Sequence, residues 1–470
     1  MSFIIRVVLF LLIIANLSHA KANEYIEKTD SENINHTNVM VGLRRIGIFP
    51  DDFKKSSDGP NDAPSIQRAV NYICSQPGNA RSGGNINLMA RIYEIDSGIN
   101  IPCAVHINGQ GWEEQMTLGG GTWFHITQSL KQMTPAFNIT TTFSRASIFE
   151  NFAVAEDHPA PGTTKDAVWR PNIYAPVFDL NGVGAAVFFH HILWDGVTKG
   201  IYVNGAGRIE LDGMYADVFD YLINIDGSED VDRIRNVHIW PYWTNSLIKG
   251  SSSKSLMTQA QEKKVTEYRL MNANAIILNR ADTPFLDELF GIGLHALLQI
   301  GYTSSGNRGT TTKAHIGRIS CDKSKYCLWV TSNVNSQMSA IIDQIDYQGE
   351  NPVSGSGIPN NKGSVIELDG NASLQIGQIY AEIIGVSVFQ MPNKNVCSEI
   401  HVSSLKVNWS ASPPNAYLAY MPKCGSSSYD LLTLSNYAGT NNSIGNAVKL
   451  VQGVGHLMMP SFLEKNSNAQ

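Results

Sequence analysis

Three stretches in the middle of the chain are copies of one another, and their spacing limits what the chain can fold into. VFFHHILWDGVTKGIYVNG ends at Gly205, IELDGMYADVFDYLINIDG at Gly227 and DRIRNVHIWPYWTNSLIKG at Gly250, giving steps of 22 and 23 residues. Each copy is a set of short β-branched and aromatic runs broken by Gly or Asn. A unit of this size cannot bury its own apolar side, so neighbouring copies must stack into a solenoid. An earlier copy, FENFAVAED around Phe152, lies 40 residues before Ile192, and most of the extra length is the Pro-rich loop EDHPAPGTTKDAVWRPNIYAP. SAIIDQIDYQG, SLQIGQIYAEIIG and EIHVSSLKVNW keep the rhythm to about residue 420. Residues 425–470, rich in Ser, Asn and Gly, read as a cap and tail.

Composition narrows the setting. Only 16% of the 470 residues are charged, against about 25% in ordinary domains. The net charge of -6 provides no basic stripe to neutralise phosphates, which argues against nucleic acid. Residues 1–22 have the form of a signal peptide: Arg6, then the apolar run Val7–Leu17, then cleavage sites after Ala20 or Ala22. That run is shorter than the roughly 20 residues a spanning helix needs, so no stable membrane insertion is expected. The mature chain is expected to be secreted, extracellular or periplasmic. Residues 23–45 are polar and aperiodic, a linker. The six cysteines, Cys74, Cys103, Cys321, Cys327, Cys397 and Cys424, fit disulfides in an exported chain. Their order suggests three local pairs, although fifteen pairings are open. None has the spacing of a zinc ligand set.

The first folded segment carries a more specific signal. In GIFPDDFKKSSDGPNDAPSIQRAVNYI, Asn61 or Asp62 can cap a helix with Pro64 in its first turn, and Ile66, Ala69, Val70 and Ile73 share one apolar side. Short strands follow: GGNINL, RIYEI, GINIP, AVHINGQG and GTWFHIT. This order over residues 46–112 resembles the opening of the pectate-lyase-like, family-28-related β-helix superfamily, although NLMARIYEI lacks the Pro and Gly usual before the Tyr. The resemblance implies an all-β fold over residues 46–424, a right-handed single-stranded parallel β-helix with an N-terminal capping α-helix. It also implies a polysaccharide partner. Its pectin hydrolases carry Asn-Thr-Asp, Asp-Asp, Gly-His-Gly and Arg-Ile-Lys segments. Here RIR at 233–235 only echoes the last, and Asp51-Asp52 lies in the opening segment.

Strand alternation converts the repeat into a candidate site. If Ile192, Met214 and Val237 point inward, then Asp195, Asp217 and Trp240 form one outward column and Leu193, Tyr215 and His238 its neighbour. Coils stack about 4.8 Å apart, so Asp195 and Asp217 are candidates for paired acid and nucleophile or base, with His238 as a proton carrier. Tyr215 and Trp240 are candidate sugar-binding residues, Trp243 and Asp220 a second column, and Trp169 and Arg170 one wall of the groove. Asp195-Gly196 also reads as a turn. No cofactor is called for. Calcium is the one ion left open, by DGSEDVD at 226–232, which lacks the glycine of an EF-hand loop. The Gly-rich GGGTWF at 119–124 has no phosphate-loop Lys. Two functions follow: cleavage of a polysaccharide by hydrolysis or elimination, or glycan binding by a non-catalytic adhesin or surface β-helix. A tailspike is disfavoured by the export signal, and the oligomeric state is left undetermined.

Overall fold

The computed structural model describes residues 47–464 apart from 77–82, 115, 117–119, 131, 163, 165–167, 185, 245–256, 304–308, 333–334, 350–362, 411, 413–415, 423, 425–429, 441–448, 454–455 and 459–461. The expected signal peptide and linker lie outside the described residues. The body is a parallel β-helix. A first ladder runs from Asn85–Asn87 through His106–Asn108, Ser147–Glu150 and the start of Val187–Asn204. It continues through Ile209–Ile225, Arg233–Ile239, Phe285–Ile292 and Ala314–Asp322. Met338–Gln348, Ala372–Glu382 and Glu399–Asn408 extend it to Leu431–Thr440. A second ladder starts with Ile92–Ile95, Trp123–Ile126 and Ala153–Glu156, and a third with Ile99–Asn100, Phe137–Ile139 and Phe178–Asn181.

Backbone chirality shapes the corners between these ladders. After the first ladder, equivalent residues Asn151, His191, Gly213, Asn236 and Glu288 all have positive φ, between 51° and 70°. Asn and Gly tolerate this left-handed conformation best. Gly213 is also required by space, because a Cβ there would lie 2.7 Å from His191 Cδ2. A second row of such residues, Ala146, Ala186, Arg208, Thr283 and Lys313, precedes the first ladder.

The lumen is packed with like residues from successive coils. Ile192 pairs with Met214, Met214 with Val237 and Val237 with Leu289, and all four are buried. Phe137 stacks on Phe178 at 4.6 Å, and Phe149 on Phe189 at 5.3 Å. Such aromatic pairs add about 1 kcal/mol each to the burial itself. The period drawn from the sequence holds for the first strand of each copy, where Ile192 to Met214 is 22 residues and Met214 to Val237 is 23; the end of the third copy at Gly250 lies outside the described residues, and Ile223–Ile225 pairs instead with Ile276–Leu278. The period is not uniform, since the next step, Val237 to Leu289, takes 52.

The capping helix is Ala63–Ser75, with Ile66, Ala69, Val70 and Ile73 buried. Asn61 Oδ1 accepts from Ala63 N at 3.0 Å, whereas the Asp62 carboxylate takes Lys54 and Arg91. Arg91 also pairs with Asp51 at 2.8 Å, so the acidic opening segment serves architecture. Gly84 lets the helix approach the first strand, because a Cβ there would meet Ile73 Cγ2 at 2.6 Å. The three local disulfides are present: Cys74–Cys103, Cys321–Cys327 and Cys397–Cys424.

One element was not anticipated and one expectation is corrected. A second helix, Gln259–Asn272, lies within the long step after Val237, with a Thr258–Gln261 capping box at its start. Its sequence, QAQEKKVTEYRLMN, is too polar to present the apolar stripe that marks a surface helix. The ladder also continues past residue 424: Leu431–Thr440 pairs with Glu399–Asn408, and His456–Met458 and Phe462–Glu464 pair with Leu431–Thr440. Among the described residues no helix is long and apolar enough to cross a membrane.

Candidate functional site

The register derived from the repeat is the register of the structure. Asp195 pairs with Asp217 and Leu193 with Tyr215, and Tyr215 pairs with His238. Trp240 follows Asp217 in the ladder, its N–H donating to Ala216 O at 2.9 Å. The column of Tyr215 and His238 continues to Phe290.

Exposure divides these columns. Asp195 and Asp217 face away from the lumen but are 5% and 0% accessible, so the expectation of an open catalytic carboxylate pair is corrected. Described residues of two insertions lie over them: His158 against Gly196, Trp243 against Gly196 and Asp217, and Arg269 against Asp217. Asp217 accepts from Trp243 N at 3.1 Å, and its Oδ1 lies 3.4 Å from Arg269 Nε, an ion pair with 2% and 0% side-chain exposure. Burial pushes the Asp195 carboxyl well up, and the neighbouring Asp217 adds to the shift. Asp217 is also raised by burial, against the pull of Arg269. Asp217 thereby ties the helix Gln259–Asn272 onto the outer face of the sheet.

The insertions form an aromatic plug. Trp169, expected to wall a groove, is buried, with its Nε1 donating to Pro159 O at 2.8 Å and its ring 5.0 Å from Phe219. Trp243, expected in a second open column, is half-buried and packs 5.6 Å from both Trp169 and Phe219. At the centre His158 is ringed by Trp169, Tyr174, Phe219 and Trp243. Its Nδ1 accepts from Asn172 N and its Nε2 donates to Gly196 O, which fixes a neutral ring. Burial lowers His158 to about 4. Glu156 beneath it is pushed by burial up to about 8, although Thr198 donates to it twice at 2.7 Å. Arg170 is exposed, and Asp220 is half-buried, 4.0 Å from Lys199 and raised by burial.

The neighbouring column is covered at Leu193 but open at Tyr215, and Trp240, at the end of the Asp195 column, is open beside it. Tyr215 is 38% and Trp240 36% exposed. His238 stacks between Trp240 at 5.9 Å and Phe290 at 4.9 Å, with Tyr215 at 6.0 Å. Trp112 extends the row, 5.2 Å from Tyr215 and held by its Nε1 donating to His191 O. His238 Nδ1 lies 3.0 Å from Tyr242 Oη, and burial lowers the imidazole's pKa. Sequence reasoning therefore found Tyr215, His238 and Trp240 but not Phe290 or Trp112. Aligning FLDELFGI beneath RIRNVHIW would have added Phe290.

Two other outward groups went unnoticed. His125 lies between Glu94 at 2.7 Å and Asp157 at 2.9 Å; burial pulls its pKa down, but Asp157 and Glu94 more than offset that and leave it raised. On the first ladder an open groove of about 300 Å³ is lined by Arg233, Arg235, Phe285, Asp287, His315 and Asp343. The acidic run at 226–232 spreads its carboxylates over separate partners: Asp226 takes Tyr202, Asp230 takes Arg208 and Asp232 takes Ile209 N.

No family model matches the sequence, and no curated protein matches it. Among solved structures, the chain is similar to PfbA, a surface adhesin of Streptococcus pneumoniae, at 12% identity and TM-score 0.48 over 90% of this chain and 93% of that one. It is similar to the catalytic domain of a GH87 alpha-1,3-glucanase in complex with nigerose, at 13% identity and TM-score 0.46 over 80% of this chain and 66% of that one. It is also similar to the tailspike protein of Acinetobacter phage vB_ApiP_P1, at 10% identity and TM-score 0.38 over 88% and 59%. The chain is a parallel β-helix, and at these identities the likeness extends to the fold alone.

Proposed function

We propose that this is an exported β-helix that binds polysaccharide along its outer face, at the row Trp112, Tyr215, His238, Trp240 and Phe290. The observation that carries this reading is the exposed ring surface of Tyr215 and Trp240 in a row that is otherwise packed. Aromatic rings with polar tips suit pyranoses, which present apolar C–H faces and hydroxyl rims. Three disulfides fit an oxidising, extracellular or periplasmic setting.

Cleavage is the second reading. The carboxylates first chosen for it are covered, but His125, held between Glu94 and Asp157, is an acid–base group with partial access to solvent. One assay separates the readings. The mature protein is incubated with a panel of polysaccharides while retention, new reducing ends and absorbance from unsaturated sugars are followed. Retention with neither chemical signal supports binding. Reducing ends alone mean hydrolysis, and both signals mean elimination. No retention of any glycan would remove the proposal.

A further inference from the structure

The groove on the first ladder lies around a corner from the aromatic row. Arg235 and His238 belong to one strand, separated by the left-handed residue Asn236. Its outward residues come from four consecutive rungs. Arg233 pairs with Phe285, Phe285 with His315 and His315 with Ile341, and beside them Arg235 pairs with Asp287. Gly317 lies between the rungs of Asp287 and Asp343. A Cβ at 317 would overlap Asp287 Oδ1, so the missing side chain both opens the floor and lets Asp287 lean across it. Asp287 Oδ1 is fixed there by Glu288 N at 2.9 Å and Arg318 N at 3.3 Å.

The lining has the makeup of a sugar site. Phe285 is 45% exposed, an apolar face without a packing reason to be open. Around it stand planar hydrogen-bonding groups of both signs. Arg235 is already neutralised by Asp212 at 2.9 Å and Glu210 at 3.2 Å. Arg233 has no ion-pair partner among the described residues, and it lines the groove together with Asp287 and Asp343. Asp343 pairs with His315 at 3.8 Å. Charges that nearly cancel attract neither a strong anion nor a strong cation, whereas guanidinium and carboxylate forks both bond vicinal hydroxyls. At about 300 Å³ the groove is at the small end of ligand sites.

We propose that this groove is a second carbohydrate site, separate from the aromatic row, and that it takes a neutral sugar unit stacked on Phe285 with its hydroxyls on Asp287, Asp343 and Arg233. The protein is then bivalent toward one polysaccharide. This inference rests on the glycan-binding reading. The test is calorimetric titration of the full chain with short neutral oligosaccharides (gluco- and manno-series) and with oligogalacturonates as the charged control. Two sites per chain are expected for a neutral series. Phe285→Ala and, independently, Asp343→Asn should each weaken one site, while Trp240→Ala weakens the other by roughly fivefold. All three side chains are exposed enough for the fold to persist, which an unchanged melting curve checks. One site, weakened by Trp240→Ala and untouched by the two groove variants, would overturn the second site and leave the first reading standing. A groove site filled by oligogalacturonate alone would overturn the ligand class. No binding of any sugar by the wild-type chain would overturn both readings.

Discussion

Replacing Asp217 by asparagine separates a mooring role from a chemical one. The carboxylate is fully buried against Arg269, itself 2% exposed. Asp217→Asn keeps an acceptor for Trp243 N but leaves the guanidinium without its counter-charge, with Ile292 O at 2.7 Å as its main remaining contact. Breaking one half of a buried pair costs about 3–5 kcal/mol, and the retained hydrogen bonds place this variant near the lower end. The loss falls on the plug rather than on the whole solenoid, because stacked coils open locally. Limited proteolysis should therefore show faster cutting around residues 240–272. The part of the tryptophan fluorescence change that is lost when Trp169 and Trp243 are replaced by Phe should come at a lower temperature than the far-ultraviolet signal of the ladder. Adding Arg269→Met removes the stranded charge and should recover at least about 1 kcal/mol of the loss. An Asp217→Asn chain whose plug opens at the wild-type temperature would refute the mooring.

The plug should also respond to pH from both sides. Glu156 has a folded pKa near 8 against 4.5 when free, so its stabilising contribution is complete below about 4.5 and lost as pH rises through 8. The upper limit is about 5 kcal/mol, and Glu156→Gln should flatten this alkaline decline in a melting series. His158, lowered to about 4 from 6.5, has the opposite sign: its contribution is complete above 6.5 and lost as pH falls through 4, so His158→Gln should flatten the acid limb. Removing Cys74–Cys103, which closes a separation of 29 residues, should cost about 3.6 kcal/mol against about 2.2 for Cys321–Cys327, with a separation of 6; denaturant titration of the paired Ser variants measures the order. Gly213→Val should destabilise by about 2 kcal/mol or more, because it combines φ of 70° with an overlap on His191, and a melt no lower than wild type would contradict the corner assignment.

Much of the fold was legible because a solenoid repeats its constraints. The alignment of the three copies gave the first-strand register, and from that the pairing of Asp195 with Asp217 and of Tyr215 with His238 followed by alternation alone. The capping helix was legible from its apolar spacing. Exposure was not. Outward-facing in a strand means only away from the lumen, and what covers that face is decided by insertions whose paths the repeat does not encode. Asp217 and Trp169 read as open for this reason, and the polar helix carrying Arg269 gave no warning. The coils after residue 424 were missed because the sequence flanking the rungs is rich in Ser, Asn and Gly, so composition masked a rhythm that LLTLSNYAGT still carries. The groove was within reach: FLDEL, HIGRI and IIDQI, set in register, place Asp287, Gly317 and Asp343 in one column.

The aromatic row is the centre of the account, and a glycan affinity titration on a double variant tests it most directly. Each exposed ring is expected to contribute about 1 kcal/mol, roughly fivefold in affinity. Trp240→Ala with Tyr215→Ala should therefore weaken binding of the retained polysaccharide by roughly thirtyfold, with an unchanged melting curve. Wild-type affinity in that double variant would contradict the assignment of this face to carbohydrate.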